Sequence, residues 1–380
     1  MTQHKVLYFS LGIYPGTPIR AAAEVRARQN LVALRELGYD ILVLTPRDEQ
    51  GRNGLGFPTV WLEPLPTWIF GEFLRRRDYR KKIQQVVSEH LTDSSMLLFC
   101  EHFFALACCP PHPRLVYSMH DLAVQTIRLR GSLRARPVTF KTRLFWRYLE
   151  WLEGRLIRKA QSVICVSASE AAKVNSRWHI ATEYIPTVSA EAAAPLAAEN
   201  LSGPARFWFY GSSGATANKV MLDHIADKIF DLIQVAIPGA EFHQVGQCDT
   251  YAPARIEWLQ RHFTVHGFVE NPANIFRRGD FCLIPYEHDT GFRTKLPELC
   301  GYGMIAAGYP ATFACCPEMR DGYNCIIGAN PAELVQKLAA AAADPTLRRK
   351  LTEGAIATRR EAFSHAALLG RYRHALDFVK

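Results

Sequence analysis

Apolar and polar positions alternate in two series along this chain. In the first half, short apolar runs at 6–10, 41–45, 59–62, 96–100, 115–118, 163–166 and 183–185 read as strands. Between them, helical spacing predicts helices at 19–37, 79–90, 141–159 and 169–176. In the 141–159 segment, Leu144, Phe145, Tyr148, Leu149, Leu152 and Leu156 recur at helical spacing. Arg143, Arg147, Glu150 and Arg158 take the other faces. Strands alternating with helices imply a parallel sheet covered on both faces.

The series breaks at 189–204 (SAEAAAPLAAENLSGP), a stretch rich in Ala, Ser and Pro, and then restarts. Strands are predicted at 206–210, 241–245, 263–266, 281–285, 304–307 and 324–327. Helices are predicted at 218–235, 294–302, 331–342, 345–353 and 365–378. The fold class is therefore α/β, with two doubly wound domains facing a cleft. The expected division is a first domain over 1–190, a linker over 191–205, a second domain over 206–362 and a closing helix in 363–380. A chain of 380 residues is too long for one ordinary core, which agrees with two domains.

Composition narrows the class. Hydrophobic content of 48% and charged content of 21% are ordinary for a globular protein. No run of about 18 or more apolar residues occurs, so no spanning helix is expected. The start, MTQHKVLYFS, enters a strand directly and lacks the layout of a secretory signal. The ten cysteines are scattered without a C-x-x-C, so buried thiols in a reducing cytoplasm are expected and a metal site is not. A net charge of +9 favours acidic partners: sugar nucleotides, anionic headgroups or nucleic acid.

Candidate chemistry gathers at strand ends. The segment 285–303, PYEHDTGFRTKLPELCGYG, follows an apolar strand and sets Tyr286, Thr290, Arg293, Thr294, Lys295 and Glu298 around a helix start. Fixed positive charge beside helix amides suits a diphosphate. A carboxylate one turn on can accept hydrogen bonds from a diol such as a ribose. A second strand-to-helix turn carries Gly211, Ser212 and Ser213, with Lys219 at the start of the helix. Glycines there let backbone approach a ligand, and hydroxyls can meet phosphate oxygens. It is neither G-x-G-x-x-G nor a Walker A sequence, and a plain turn explains it as well. His120 and Asp121 stand directly beyond the strand at 115–118, where open α/β sheets place chemistry. His120 can exchange protons near neutrality; Asp121 can act as a base or cap the next segment. Gly16 and Thr17, ahead of the first helix, form a loop that could meet an acceptor.

The stretch 68–82, opening on Trp68 and closing on Lys82, sets aromatic residues before a basic cluster. That suits peripheral contact with an anionic membrane, or an ordinary solvated helix. No RRM, KH, helix-turn-helix or finger signature accompanies the charge, so nucleic acid is not an expected partner.

These motifs resemble those of GT-B glycosyltransferases, nearest to the retaining family 4 type. The strongest stretches are GFRTKLPELCGYGMIAAGYP and PEMRDGYNCIIGANPAELVQKLAAAAADPTLRRKL. VYSMHDL and VICVSASEAAKV are also similar. The resemblance implies two Rossmann-like domains and a nucleoside diphosphate sugar as donor, UDP- or GDP-linked, with no cofactor and no required metal. It implies that Lys295 and Arg293 bind the diphosphate and Glu298 the ribose. Lys219 would be a second phosphate ligand, and His120 would lie near the transferred sugar. The family usually carries a Glu eight positions before the residue matching Glu298; here Thr290 stands there. LVYSMHDL and FRTKLPE also resemble bacterial inverting glucuronosyltransferases of the xanthan type, in which the carboxylate matching Asp121 is the base. The expected activity is glycosyl transfer to a lipid-linked saccharide or other glycan acceptor in envelope polysaccharide biosynthesis, at the inner face of the plasma membrane. A non-hydrolysing sugar-nucleotide epimerase and a non-catalytic sugar or nucleic-acid binding module are the alternatives.

Overall fold

The computed structural model describes residues 4–14, 22–47, 56–63, 76–132, 139–188, 199 and 201–377. It divides into two compact units. The first comprises Met1–Val188, Thr290–Phe292 and His365–Lys380; the second comprises Ser189–Asp289 and Arg293–Ser364. Each is an α/β layer structure around one parallel sheet.

The first unit holds strands β1 (Lys5–Ser10), β2 (Asp40–Pro46), β3 (Thr59–Leu62), β4 (Leu97–Glu101), β5 (Leu115–Met119), β6 (Ser162–Cys165) and β7 (Thr182–Tyr184). Their spatial order is β3-β2-β1-β4-β5-β6-β7, so the order reverses between β1 and β4. Leu7, Phe9, Leu98, Cys100, Tyr117, Met119, Val163 and Cys165 line the core. Strands covered on both faces need unbroken apolar runs, which is why LYF, LLFC and SVIC carry no alternation. Around the sheet lie α1 (Ala22–Glu36), α2 (Arg77–His90), α3 (His102–Cys108), α4 (Ala123–Ser132), α5 (Phe140–Ile157) and α6 (Ala168–Trp178). The C-terminal helix His365–Asp377 also belongs to this unit, with Ser162 donating to the carbonyl of Ala375 at 2.9 Å.

Two elements here differ from the pattern reading. Helix α3 starts directly at the end of β4 with no polar start signal, and α4 follows Asp121 after one residue. In α5 the recurring apolar residues divide between two faces. Leu149 and Leu156 are buried, whereas Leu144, Phe145 and Tyr148 face solvent. Helical spacing alone identifies a helix but not which of two apolar stripes meets the core.

The second unit holds β8 (Arg206–Tyr210), β9 (Glu241–Val245), β10 (Thr264–Gly267), β11 (Phe281–Ile284), β12 (Ile305–Gly308) and β13 (Cys325–Ile327), in the order β10-β9-β8-β11-β12-β13. The reversal falls between β8 and β11. Ligands of open α/β sheets bind beyond strand ends at such a reversal. Helix α7 (Thr216–His224) passes through a π-helical turn, Ile225–Ile229, into α8 (Phe230–Ala236). Then follow α9 (Pro253–His262), α10 (Lys295–Tyr302), α11 (Pro310–Phe313), α12 (Pro331–Ala343) and α13 (Pro345–Ala362), with the closing helix numbered α14. Gly303 ends α10 in the left-handed region at φ 63°, and the N–H of Met304 returns to Leu299 at 3.0 Å. α9, which begins with Pro253 in its first turn, had no counterpart in the pattern reading, and α13 runs nine residues beyond its predicted end at 353.

None of the ten cysteines forms a disulfide, and all but Cys248 are buried. Among the described residues no helix is long and apolar enough to cross a membrane.

Candidate functional site

In the second unit the candidate residues meet at the reversal. β8 ends at Tyr210, followed by Gly211, Ser212, Ser213 and Gly214 before α7. β11 ends at Ile284, and after ten intervening residues α10 begins at Lys295. Lys295 is largely enclosed. Its ammonium donates to the carbonyl of Tyr210, and to Asn218 Oδ1 at 3.3 Å. Burial pulls its pKa down to about 8, with Arg293 adding to the effect and Cys282 and Glu298 opposing it. Arg293 stacks its guanidinium over the Tyr286 ring, 4.2 Å from the centroid. Glu298 Oε1 accepts from the hydroxyls of Tyr210 at 3.0 Å and Tyr302 at 3.4 Å, which fixes the carboxylate one turn into α10.

The turn after β8 is tightly built. A Cβ on Gly211 would lie 2.6 Å from the Asn218 side chain. Asn218 donates to the carbonyl of Ser212 at 2.8 Å, closing the turn onto α7. Gly246, beyond β9, has φ 122°, and a Cβ there would lie 2.5 Å from the carbonyl oxygen of Gly211, so only glycine fits. Ser213 is fully buried. Its hydroxyl donates to Asp249 at 3.3 Å and accepts from the backbone and side chain of Thr250 at 3.1 and 2.9 Å. Lys219 donates to the carbonyl of Thr250 at 2.6 Å. Ser213 and Lys219 thus both tie the loop after β9 to the turn. Thr294 precedes α10 and makes no capping hydrogen bond through its side chain.

In the first unit, His120 stands one residue past β5, and its Nε2 meets Glu101 Oε1 at the end of β4. Glu101 was not singled out from the sequence. It is fully buried and accepts from Tyr8 at 2.6 Å, Asn30 at 2.6 Å and Ser118 at 3.1 Å. Burial alone would raise its pKa, but His120, Arg26 and Tyr8 together hold it below the ordinary carboxylate value. The available signal was an acidic residue closing the apolar run LLFC, one strand over from His120. The next residue, His102, has φ 72°, a strained backbone for a residue with a side chain. Its ring stands edge-on to His120, with centroids 5.6 Å apart, and burial lowers its pKa to about 4.

Asp121 accepts from the Thr126 hydroxyl at 2.9 Å. Two buried carboxyls flank it. Glu153 accepts from the N–H of Ala123 at 2.7 Å and Glu170 from that of Leu122 at 3.4 Å. Burial pushes Glu153 up to about 8 and Glu170 up to about 7, with Asp121 raising both. Thr290, read from the sequence as part of the second domain, is grouped with the first unit. The N–H of neighbouring Gly291 donates to Glu170 at 2.9 Å. Gly16 and Thr17 lie outside the described residues, as do 68–75 of the aromatic-basic stretch 68–82. Among the described residues, no group of three His, Cys, Asp or Glu side chains is arranged to hold a metal ion.

Residues 23–188 match Glycosyltransferase Family 4, and residues 204–344 match Glycosyl transferases group 1. No curated protein matches the sequence. Solved structures share the fold at low identity. Sucrose-phosphate synthase from Thermosynechococcus elongatus has a TM-score of 0.70 at 16% identity, covering 98% of each chain. HepE of Anabaena in complex with UDP and glucose has a TM-score of 0.63 at 15% identity, covering 98% of this chain and 99% of its own. The lipopolysaccharide outer core galactosyltransferase WaaB has a TM-score of 0.63 at 13% identity, again covering 98% and 99%. Both units of this α/β chain therefore carry glycosyltransferase domains, which defines the protein as a GT-B glycosyltransferase. Within that class it belongs to the family 4-like glycosyltransferases.

Proposed function

We propose that this enzyme transfers a sugar from a UDP- or GDP-linked donor to a lipid-linked saccharide or another glycan acceptor of the cell envelope, on the cytoplasmic face of the plasma membrane. The observation that carries the donor reading is the gathering of Lys295, Arg293 and Glu298 at the ends of β8 and β11. A diphosphate meets two cations there, and the ribose diol meets Glu298. As the glycosidic bond breaks, negative charge grows on the leaving phosphate. Lys295 and Arg293 stabilise that charge more in the transition state than in the ground state. These fixed cations neutralise the diphosphate without a metal. Tyr286 orients Arg293, the backbone of Gly211 and Ser212 lies beside the phosphates, and Ser213 and Lys219 hold the loop that supports them. The related HepE was solved with UDP and UDP-glucose, which supports a nucleotide-sugar donor; WaaB, an outer core galactosyltransferase, supports an envelope acceptor.

Retention of configuration is the favoured course: the acceptor attacks on the leaving-group face and His120 steadies the sugar. Inversion instead needs Asp121 to take the acceptor proton. A thermal-shift panel of nucleoside diphosphates tests the donor site. A selective rise in melting temperature with UDP or GDP is expected, since a ligand at 100-fold its Kd adds about 2.7 kcal/mol. No response to any member of the panel would remove the reading. Conversion of donor to an epimer without acceptor would instead favour the epimerase.

A further inference from the structure

We propose that α5 is an interfacial helix that lays one face on an anionic lipid bilayer. Four large side chains spaced four, four and three residues apart share that face: Phe140, Leu144, Tyr148 and Trp151. They are 80%, 59%, 54% and 54% exposed, more than half of the large hydrophobic side chains that the described residues show to solvent on a single helix once Phe145 at 41% is added. Soluble monomers rarely expose a contiguous apolar stripe of this kind without using it. Tyr148 and Trp151 stack with centroids 6.0 Å apart, and the Arg155 guanidinium lies over Trp151 at 5.5 Å. Amphipathic rings beside guanidinium groups suit headgroup depth.

Charge decides the occupant. Lys141, Arg143, Arg147 and Arg155 along α5, and Arg158 just past its end, are all exposed. The helix has two acidic side chains, Glu150 and Glu153, and both are buried. Glu150 is paired with Arg128 and Arg177, each at 2.5 Å, and Glu153 accepts from the backbone at Ala123. The exposed charges of α5 itself are therefore all cationic, set among and beside its apolar side chains, the complement of a surface carrying phosphodiesters. A second copy of the chain would bring the same positive charges together, so self-association is disfavoured by repulsion. The inference does not depend on the donor site.

The test uses the full chain in vesicle flotation, with phosphatidylcholine vesicles that do or do not contain phosphatidylglycerol. The expected result is binding to the anionic vesicles that falls with added salt, and little binding to the neutral ones. The double variant Arg143→Glu, Arg147→Glu should lower partitioning about tenfold or more. The pair Phe140→Ser, Trp151→Ser should lower it about tenfold or more as well. All four positions face solvent, so both variants should keep the wild-type melting temperature, which is measured in parallel. Failure of wild type to float with anionic vesicles overturns the proposal, as does unchanged flotation of both variants. A dimer in sedimentation velocity that these substitutions dissolve, with no vesicle binding, would assign the face to a second copy.

Discussion

Lys295 is enclosed enough to titrate within reach of ordinary assays, and that makes the donor site testable by pH. Its pKa is lowered to about 8 from 10.5 because burial penalises the ammonium. A diphosphate beside it favours the charged form, so above about pH 8 binding must take up a proton. Affinity should then fall about tenfold per pH unit, or roughly 100-fold between about pH 8 and about pH 10, equivalent to about 2.7 kcal/mol. Lys295→Arg keeps its charge throughout, so the difference between wild type and this variant isolates Lys295 from ionisation of the nucleotide. Lys295→Ala should lose about 2–4 kcal/mol in kcat/KM, the scale of one electrostatic donor. Isothermal titration with UDP and GDP across the range is the assay. In the unliganded protein the sign reverses. Its lowered pKa means the folded state releases the proton first, so Lys295 adds stability as pH rises from about 8 toward 10.5. Identical pH profiles for wild type and Lys295→Arg, or undiminished turnover by Lys295→Ala, would refute the phosphate assignment.

Three further outcomes are expected. Asp121→Asn separates the stereochemical courses: turnover near that of wild type excludes Asp121 as a base, whereas a loss of about 10²–10⁴-fold fits inversion. Glu101→Ala leaves the donors of Tyr8, Asn30 and Ser118 without their buried acceptor, so urea unfolding should show a loss of about 3–5 kcal/mol. Glu153 has its pKa raised from 4.5 to about 8 in the folded state, so the stability it contributes is complete below about pH 4.5 and is lost as pH rises through about 8, at up to about 1.4 kcal/mol per pH unit. The melting temperature of Glu153→Gln should accordingly depend less on pH than that of wild type between about pH 5 and about pH 8, and parallel curves would refute the assignment.

Strands were legible in the sequence because a parallel sheet buried on both faces demands unbroken apolar runs. β3, β8 and β9 begin and end at the predicted residues, although β9, reading EFHQV, is not itself an apolar run. Elements without such a mark were not. α3 begins immediately after the last strand residue, on a histidine with positive φ, and no propensity argument anticipates a helix there. α4 starts where buried carboxyls, Glu153 from α5 and Glu170 from α6, accept its first N–H groups. Its cap comes from distant sequence, so a local capping search cannot find it.

The same distinction runs through the candidate sites. Lys295, Arg293 and Glu298 crowd one short segment and could be found by inspection. The Glu101–His120 pair spans two strands and becomes visible only once β4 lies beside β5. Buried charge also explains why the exposed face of α5 was hidden. Its sequence contains Glu150 and Glu153 as well as its arginines, and read alone it is a mixed-charge amphipathic helix. Folding withdraws both carboxylates, one to Arg128 and Arg177 and the other to the start of α4. What remains outside is aromatic and cationic, a surface chemistry that follows from packing on the opposite face.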